Sequence, residues 1–257
     1  MRRILAPFSL LAITGLCAQP GISQLGYGPD VTIVVDAEFP ITSAGDSGAH
    51  VTWDHGSAAF STDLYTFTAE GIAKAPGAER FPNASAVFRL EAAKGVVEHD
   101  FFGYSGGFSE HGSLITGGGT VHAEVYSDPI TYCAVPITFG DSGTDTYAYT
   151  TTESMSPSST TGFMEWNVDA HGTLILPNAT HADVLRVRSM STETTTAVIN
   201  GVTVVTEMQE ESWRWFKSGC PLPLLTWSVL TDNTGSEPGA TVAVVSCTGS
   251  TGLQDER

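Results

Sequence analysis

No stretch of this chain sustains a helical hydrophobic period for more than about two turns. Instead, short runs rich in Val, Ile, Thr and aromatic residues recur between clusters of Gly, Pro, Asn, Asp and Ser, which is the pattern of strands separated by turns. Examples are residues 31–35, 64–68, 86–90, 120–126, 134–139, 146–151, 162–168, 173–176, 184–188, 202–208, 212–217, 224–230 and 241–247. In Val184–Arg188, Leu185 and Val187 share one face while Arg186 and Arg188 share the other; Trp213 and Trp215 alternate in the same way with Arg214 and Phe216. The best helical candidate, residues 84–97, contains the alternating Val87-Phe88-Arg89-Leu90 and is broken by Gly95. The expectation is an all-β chain, an antiparallel β-sandwich of jelly-roll type. It is built as one large sandwich or as two consecutive ones with a break near Ser127-Asp128-Pro129. The threonine-rich residues 150–161 read as a long exposed hairpin tip.

With 28 Asp and Glu against 11 Lys and Arg, the formal charge is -17. That balance repels a phosphate backbone and argues against a nucleic-acid partner. The start, Met1-Arg2-Arg3 followed by an apolar run from Ile4 to Leu16 and small residues, matches a secretory signal peptide over residues 1–18. Its removal leaves 9 basic against 28 acidic side chains, a balance of -19. No later run has the roughly 20 apolar residues of a transmembrane helix. The expected organisation is a signal peptide, a β-sandwich over residues 19–247, and a flexible linker over residues 248–257. Of Cys133, Cys220 and Cys247, the last two are the preferred disulfide couple in an oxidising compartment, with three unbonded cysteines as the alternative.

A series of words in the second half carries a resemblance. They are Pro136-Ile137-Thr138-Phe139-Gly140-Asp141-Ser142, Gly172-Thr173-Leu174-Ile175-Leu176-Pro177-Asn178, Val184-Leu185-Arg186-Val187, and Trp213-Arg214-Trp215-Phe216 followed by Pro223-Leu224-Leu225. Their order and spacing resemble the β-rich regions that precede the type IX secretion sorting domain in secreted proteins of Bacteroidota. Thr52-Trp53-Asp54 and Phe81-Pro82-Asn83-Ala84 fit the same pattern more loosely, and Thr251-Gly252-Leu253-Gln254 resembles the linker before the sorting domain. The sorting domain itself is absent from these residues, and Ala179 stands where that family commonly has Gly. The resemblance implies export and display at or beyond the outer membrane, and it brings no activity with it.

Four features carry chemistry. Asp141 and Asp145, in Asp141-Ser142-Gly143-Thr144-Asp145, could turn oxygens toward a calcium ion; the competing reading is a turn stabilised by Asp and Gly. Glu207, Glu210 and Glu211, or Asp36 and Glu38, are the carboxylates from which a glycosidase pair could be drawn, set against a solvated acidic face. The seven histidines lack zinc spacing, and Ser109-Glu110-His111 holds triad-type residues without a nucleophile elbow. Trp53, Trp213, Trp215 and Trp227 could form an aromatic platform for sugar rings, or one inward face of a sheet. The leading expectation is a secreted, non-catalytic binding or adhesion module with a glycan or surface partner and no cofactor. The alternatives are a polysaccharide hydrolase and a passive spacer.

Overall fold

The computed structural model describes residues 21–25, 32–35, 43–58, 65–91, 95–152, 157–177, 179–233 and 239–244. Residues 1–18, expected to be a signal peptide, Asp36, Glu38, Cys247 and residues 248–257, expected to be a linker, lie outside these residues. Fifteen strands account for most of what is described: β1 (Gly21–Ile22), β2 (Thr32–Val35), β3 (Gly48–Asp54), β4 (Tyr65–Glu70) and β5 (Ala86–Glu91). They continue as β6 (Val97–Gly103), β7 (Gly107–Gly117), β8 (Thr120–Ala134), β9 (Ile137–Thr138) and β10 (Ser142–Thr152). The last five are β11 (Ser158–Leu176), β12 (Ala179–Ile199), β13 (Val202–Phe216), β14 (Leu225–Asp232) and β15 (Gly239–Val244). The chain is all-β and antiparallel, as its pattern predicts.

The layers are made in an economical way. Among the described residues, thirteen strands join one sheet in the order β15-β14-β13-β12-β11-β10-β8-β7-β6-β5-β4-β2, so that strands adjacent in the chain are mostly adjacent in space. Strand β3 is the exception, adding parallel to β11. Four strands separate β7 from β13, a distance of roughly 24 Å across a flat sheet. Yet the rings of Phe108 on β7 and Phe216 on β13 meet at 5.8 Å, and the end strands β2 and β15 come into contact. One sheet has therefore curled over on itself, and its two halves form the facing layers. Residues 127–129, the expected place of a break between two sandwiches, fall inside a strand. They lie within β8, where the register to β10 slips between Ala148 and Tyr149 and Ser127 donates to the Ala148 carbonyl.

Three apolar clusters result. The inner face collects Phe88, Phe108, Met164, Leu185, Val187 and Phe216, plugged by Ile22 and Ile137 of the small β1–β9 pair. Outside one half, the segment 72–84 covers Phe101 and Leu114, with Phe81 stacked on Phe101 at 3.9 Å. Outside the other half, Trp53 from β3 packs with Leu174, Val184, Trp215 and Trp227.

Candidate functional site

Strand alternation sorts the chemistry onto two faces. On β12 and β13 the outward set is Arg186, Arg188, Glu211, Trp213 and Trp215, while Val187, Ser189, Glu193, Glu210 and Arg214 turn inward.

The outward set meets β3 and the residues before it. Arg186 is fully buried: Nε and Nη2 donate to the two carboxylate oxygens of Asp169 at 2.8 Å each, and Nη1 donates to the Ala44 carbonyl at 2.5 Å. Its guanidinium lies 5.3 Å from the Trp53 ring and 5.6 Å from the Trp215 ring, within cation–π range of both. One turn of the pleat further, Arg188 Nε donates to Glu211 at 2.7 Å, and its guanidinium stands 5.9 Å from the Trp213 ring. Trp213 stacks on Trp227 with centroids 4.7 Å apart and planes at 25°. Together with Ser43, Gly45 and Ser47, the two arginines, Asp169, Glu211, Trp213 and Trp227 line an open groove of about 450 Å³. Beyond Glu211 the same face continues into a second depression of about 390 Å³ floored by Phe163, Met190 and Val229.

The four tryptophans are thus gathered on one face, but not as one exposed platform. Trp53 and Trp215 are buried at 3% and 0% exposure because β3 closes over them. Trp213 is half-buried and Trp227 shows its edge to the groove. Among the described residues the buried indole N–H groups of Trp215 and Trp227 have no acceptor, a cost of roughly 1–3 kcal/mol each that stacking and burial must outweigh.

Asp141 and Asp145 do not share a loop. Asp141 sits just before β10 and accepts from the Thr138 N–H at 2.8 Å and the Thr138 hydroxyl at 3.1 Å. Asp145 is inside β10 and accepts from the Thr131 N–H at 2.5 Å. Each carboxylate is committed to a local turn or bulge. Among the described residues no three His, Cys, Asp or Glu side chains come together as a metal cradle. Glu210 and Glu211 cannot flank one bond, because neighbours on a strand point to opposite faces. Ser109 Oγ does lie 3.2 Å from His111 Nε2, but the intervening Glu110 turns the other way, toward Tyr132, and cannot orient that imidazole. Cys220 is disulfide-bonded. Cys133 is buried and unbonded, and desolvation pushes its thiol up to about 12, which leaves it inert.

Sequence reasoning missed the inward polar cluster. Tyr132 donates to Glu110 at 2.5 Å, and Tyr147 and Tyr149 donate to Glu193 at 2.9 and 3.5 Å. Arg214 lies 4.2 Å from the Tyr132 ring and donates to the Ser189 and Ser212 hydroxyls. No local pattern announced it: Glu110 on β7 lies between Ser109 and His111 and Glu193 on β12 between Thr192 and Thr194, and the tyrosines come from β8 and β10, strands too distant in sequence to be linked. Desolvation is the largest cause raising the carboxyl groups of Glu98, Asp100, Glu110 and Glu193 above their ordinary range. Between about pH 4, where an unfolded carboxyl titrates, and the raised folded values, the folded chain binds more protons than the unfolded one. Stability contributed by these groups is therefore complete at low pH and is lost as pH rises through that window. Burial lowers His55, His99, His111, His171 and His181, whose contribution runs the other way and is lost as pH falls, so the readout is the difference between variant and parent. Glu110→Gln, which keeps an acceptor for Tyr132, should raise Tm relative to the parent more at pH 8 than at pH 5; a difference in Tm that is the same at both pH values contradicts this account.

No known protein family, curated protein or solved structure matches the chain.

Proposed function

We propose that this chain is an exported, non-catalytic binding module whose outer groove takes a neutral glycan. The observation that carries the reading is the stacked Trp213–Trp227 pair set beside the hydrogen-bonded Arg188–Glu211 pair at the edge of an open groove. The half-buried Trp213 indole offers apolar ring surface on which the CH groups of a pyranose can stack, and flanking guanidinium, carboxylate and serine hydroxyl groups can address its hydroxyls. Opposed Arg and Asp or Glu charges along the groove suit an uncharged ligand better than a polyanion. The second depression extends the surface along the strands, as an oligosaccharide of several units would require.

Export is supported by the basic and apolar N-terminal pattern and by the disulfide at Cys220. The likeness to β-rich regions ahead of type IX sorting domains agrees with display outside the cell.

The test is a glycan panel read by calorimetry on the purified protein. Trp213→Ala is expected to weaken binding about 30-fold, the effect of removing an aromatic anchor worth about 2 kcal/mol. Arg188→Ala, which leaves the stacked indoles in place, is expected to weaken it as well. If the panel yields no neutral-glycan ligand, or if both variants bind like the parent, the reading fails.

A further inference from the structure

We infer that the long β12–β13 hairpin, with the neighbouring β7–β8 tip, is a surface that seats shallowly on a zwitterionic lipid bilayer. The two tips lie at one level. Gly117 pairs with Thr120 at the first, Ala123 with Thr152, Thr151 with Ser158, and Ser158 with Ala197, so Val121 and Ile199 project beyond the same row of the sheet. Of the large apolar side chains left in solvent, six are gathered there: Val121, Val198, Ile199, Val202, Val204 and Val205, with exposures from 38% to 63%.

The register decides what could cover them. Ile199 pairs with Val202 and Ala197 with Val204 on one face, while Val198 and Val205 stand on the other. A protein surface docked against one face would leave the second wet. A fluid apolar boundary covers both at once. The charge pattern agrees: residues 194–206 contain no charged side chain in a chain of net charge -17, and the nearest carboxylates on the hairpin are Glu193 and Glu207. Among the described residues neither tip carries Lys or Arg, and His122 beside Val121 lies 3.8 Å from Glu124; with an acidic body to repel anionic headgroups, the fitting surface is zwitterionic.

Depth follows from geometry. Four residues on each strand beyond Thr195 and Thr206 extend roughly 13 Å, less than the half-thickness of a bilayer core of about 30 Å. Beyond Glu207, whose carbonyl accepts from the Asn233 N–H, the outer edge of β13 has no ladder partner among the described residues, and open edges are not tolerated deep in hydrocarbon. The tip therefore sits at the boundary of headgroups and acyl chains, where water still reaches that edge and the Asn200-Gly201 turn.

Vesicle flotation tests the proposal. The parent protein should float with phosphatidylcholine vesicles and do so less well when phosphatidylserine is added. The double variant Ile199→Asp/Val202→Asp should lose roughly tenfold or more of that partitioning with an unchanged far-UV spectrum and Tm, since both side chains are exposed. Ile199→Trp gives an independent reading, with an indole emission that shifts to the blue when vesicles are added. Absence of flotation and of the blue shift, preference for anionic vesicles, or equal partitioning of parent and double variant would overturn it. A concentration-dependent dimer abolished by the double variant would also do so, by assigning the tip to a second copy of the chain.

Discussion

Replacing Arg186 by alanine is expected to lower stability by about 3–5 kcal/mol, which for a chain of this size moves Tm down by about 10 °C or more. The reason is what the guanidinium leaves behind. Asp169 loses two hydrogen bonds in a site where its side chain is only 13% exposed. The Ala44 carbonyl loses its donor, and the space between Trp53 and Trp215 opens. Arg186→Met alone should recover the packing but not the stranded carboxylate. Arg186→Met combined with Asp169→Leu should recover most of the loss, because removing both charges removes the desolvation problem together with its solution. Urea melts of the three variants check this; equal losses in all of them would show that packing, and not the uncompensated carboxylate, sets the effect.

Gly172→Ala is expected to be the most damaging small substitution. A Cβ at this position would clash with the backbone carbonyl of Val51, which crosses β11 there, and no side chain can rotate to make room. Either β11 or β3 must move, at a cost at the upper end of the roughly 1–3 kcal/mol range for overpacking. Since β3 has a strand partner, among the described residues, only in β11 and joins it as a parallel strand, it is the part that yields. The signature is specific: protease cleavage between residues 43 and 58 should accelerate, and Trp53 emission should move to the red, while the inner core keeps its far-UV signal. A variant that resists cleavage like the parent would contradict the assigned role of Gly172.

Much of the architecture could be read from local alternation. Leu185 and Val187 face the inner core as their spacing predicts, and Trp213 and Trp215 share a face opposite Arg214 and Phe216. Strand length was less legible. Residues 162–168 and 173–176 look like two strands separated by a turn at Asp169–Gly172, but β11 runs through both, with register slips that let β3 lie alongside. The dipeptide Asn200-Gly201 states its hairpin openly, since both residues take positive φ, at 52° and 79°, as a two-residue turn of this kind requires.

The candidate site was half visible. Residue type pointed to the tryptophans, and alternation placed Arg186 and Arg188 on a polar face. That face is polar yet covered, because a strand more than a hundred residues earlier in the chain returns to bury Arg186. Short-range periodicity cannot report a contact of that range. It also cannot say that Asp141 and Asp145, four residues apart, answer to different partners, Thr138 and Thr131.

The out-of-order placement of β3 bears on how the molecule comes together. Nearly every other strand can zip onto its chain neighbour as a hairpin, with little loop to close. The seat for β3 is furnished by β11, by Asp169 and Arg186, and by Trp215 on β13, so it does not exist until those strands have assembled. Residues 43–54 leave the exit tunnel early and dock late. The groove, whose rim includes Ser43 and Ser47, is therefore complete only once this segment has docked.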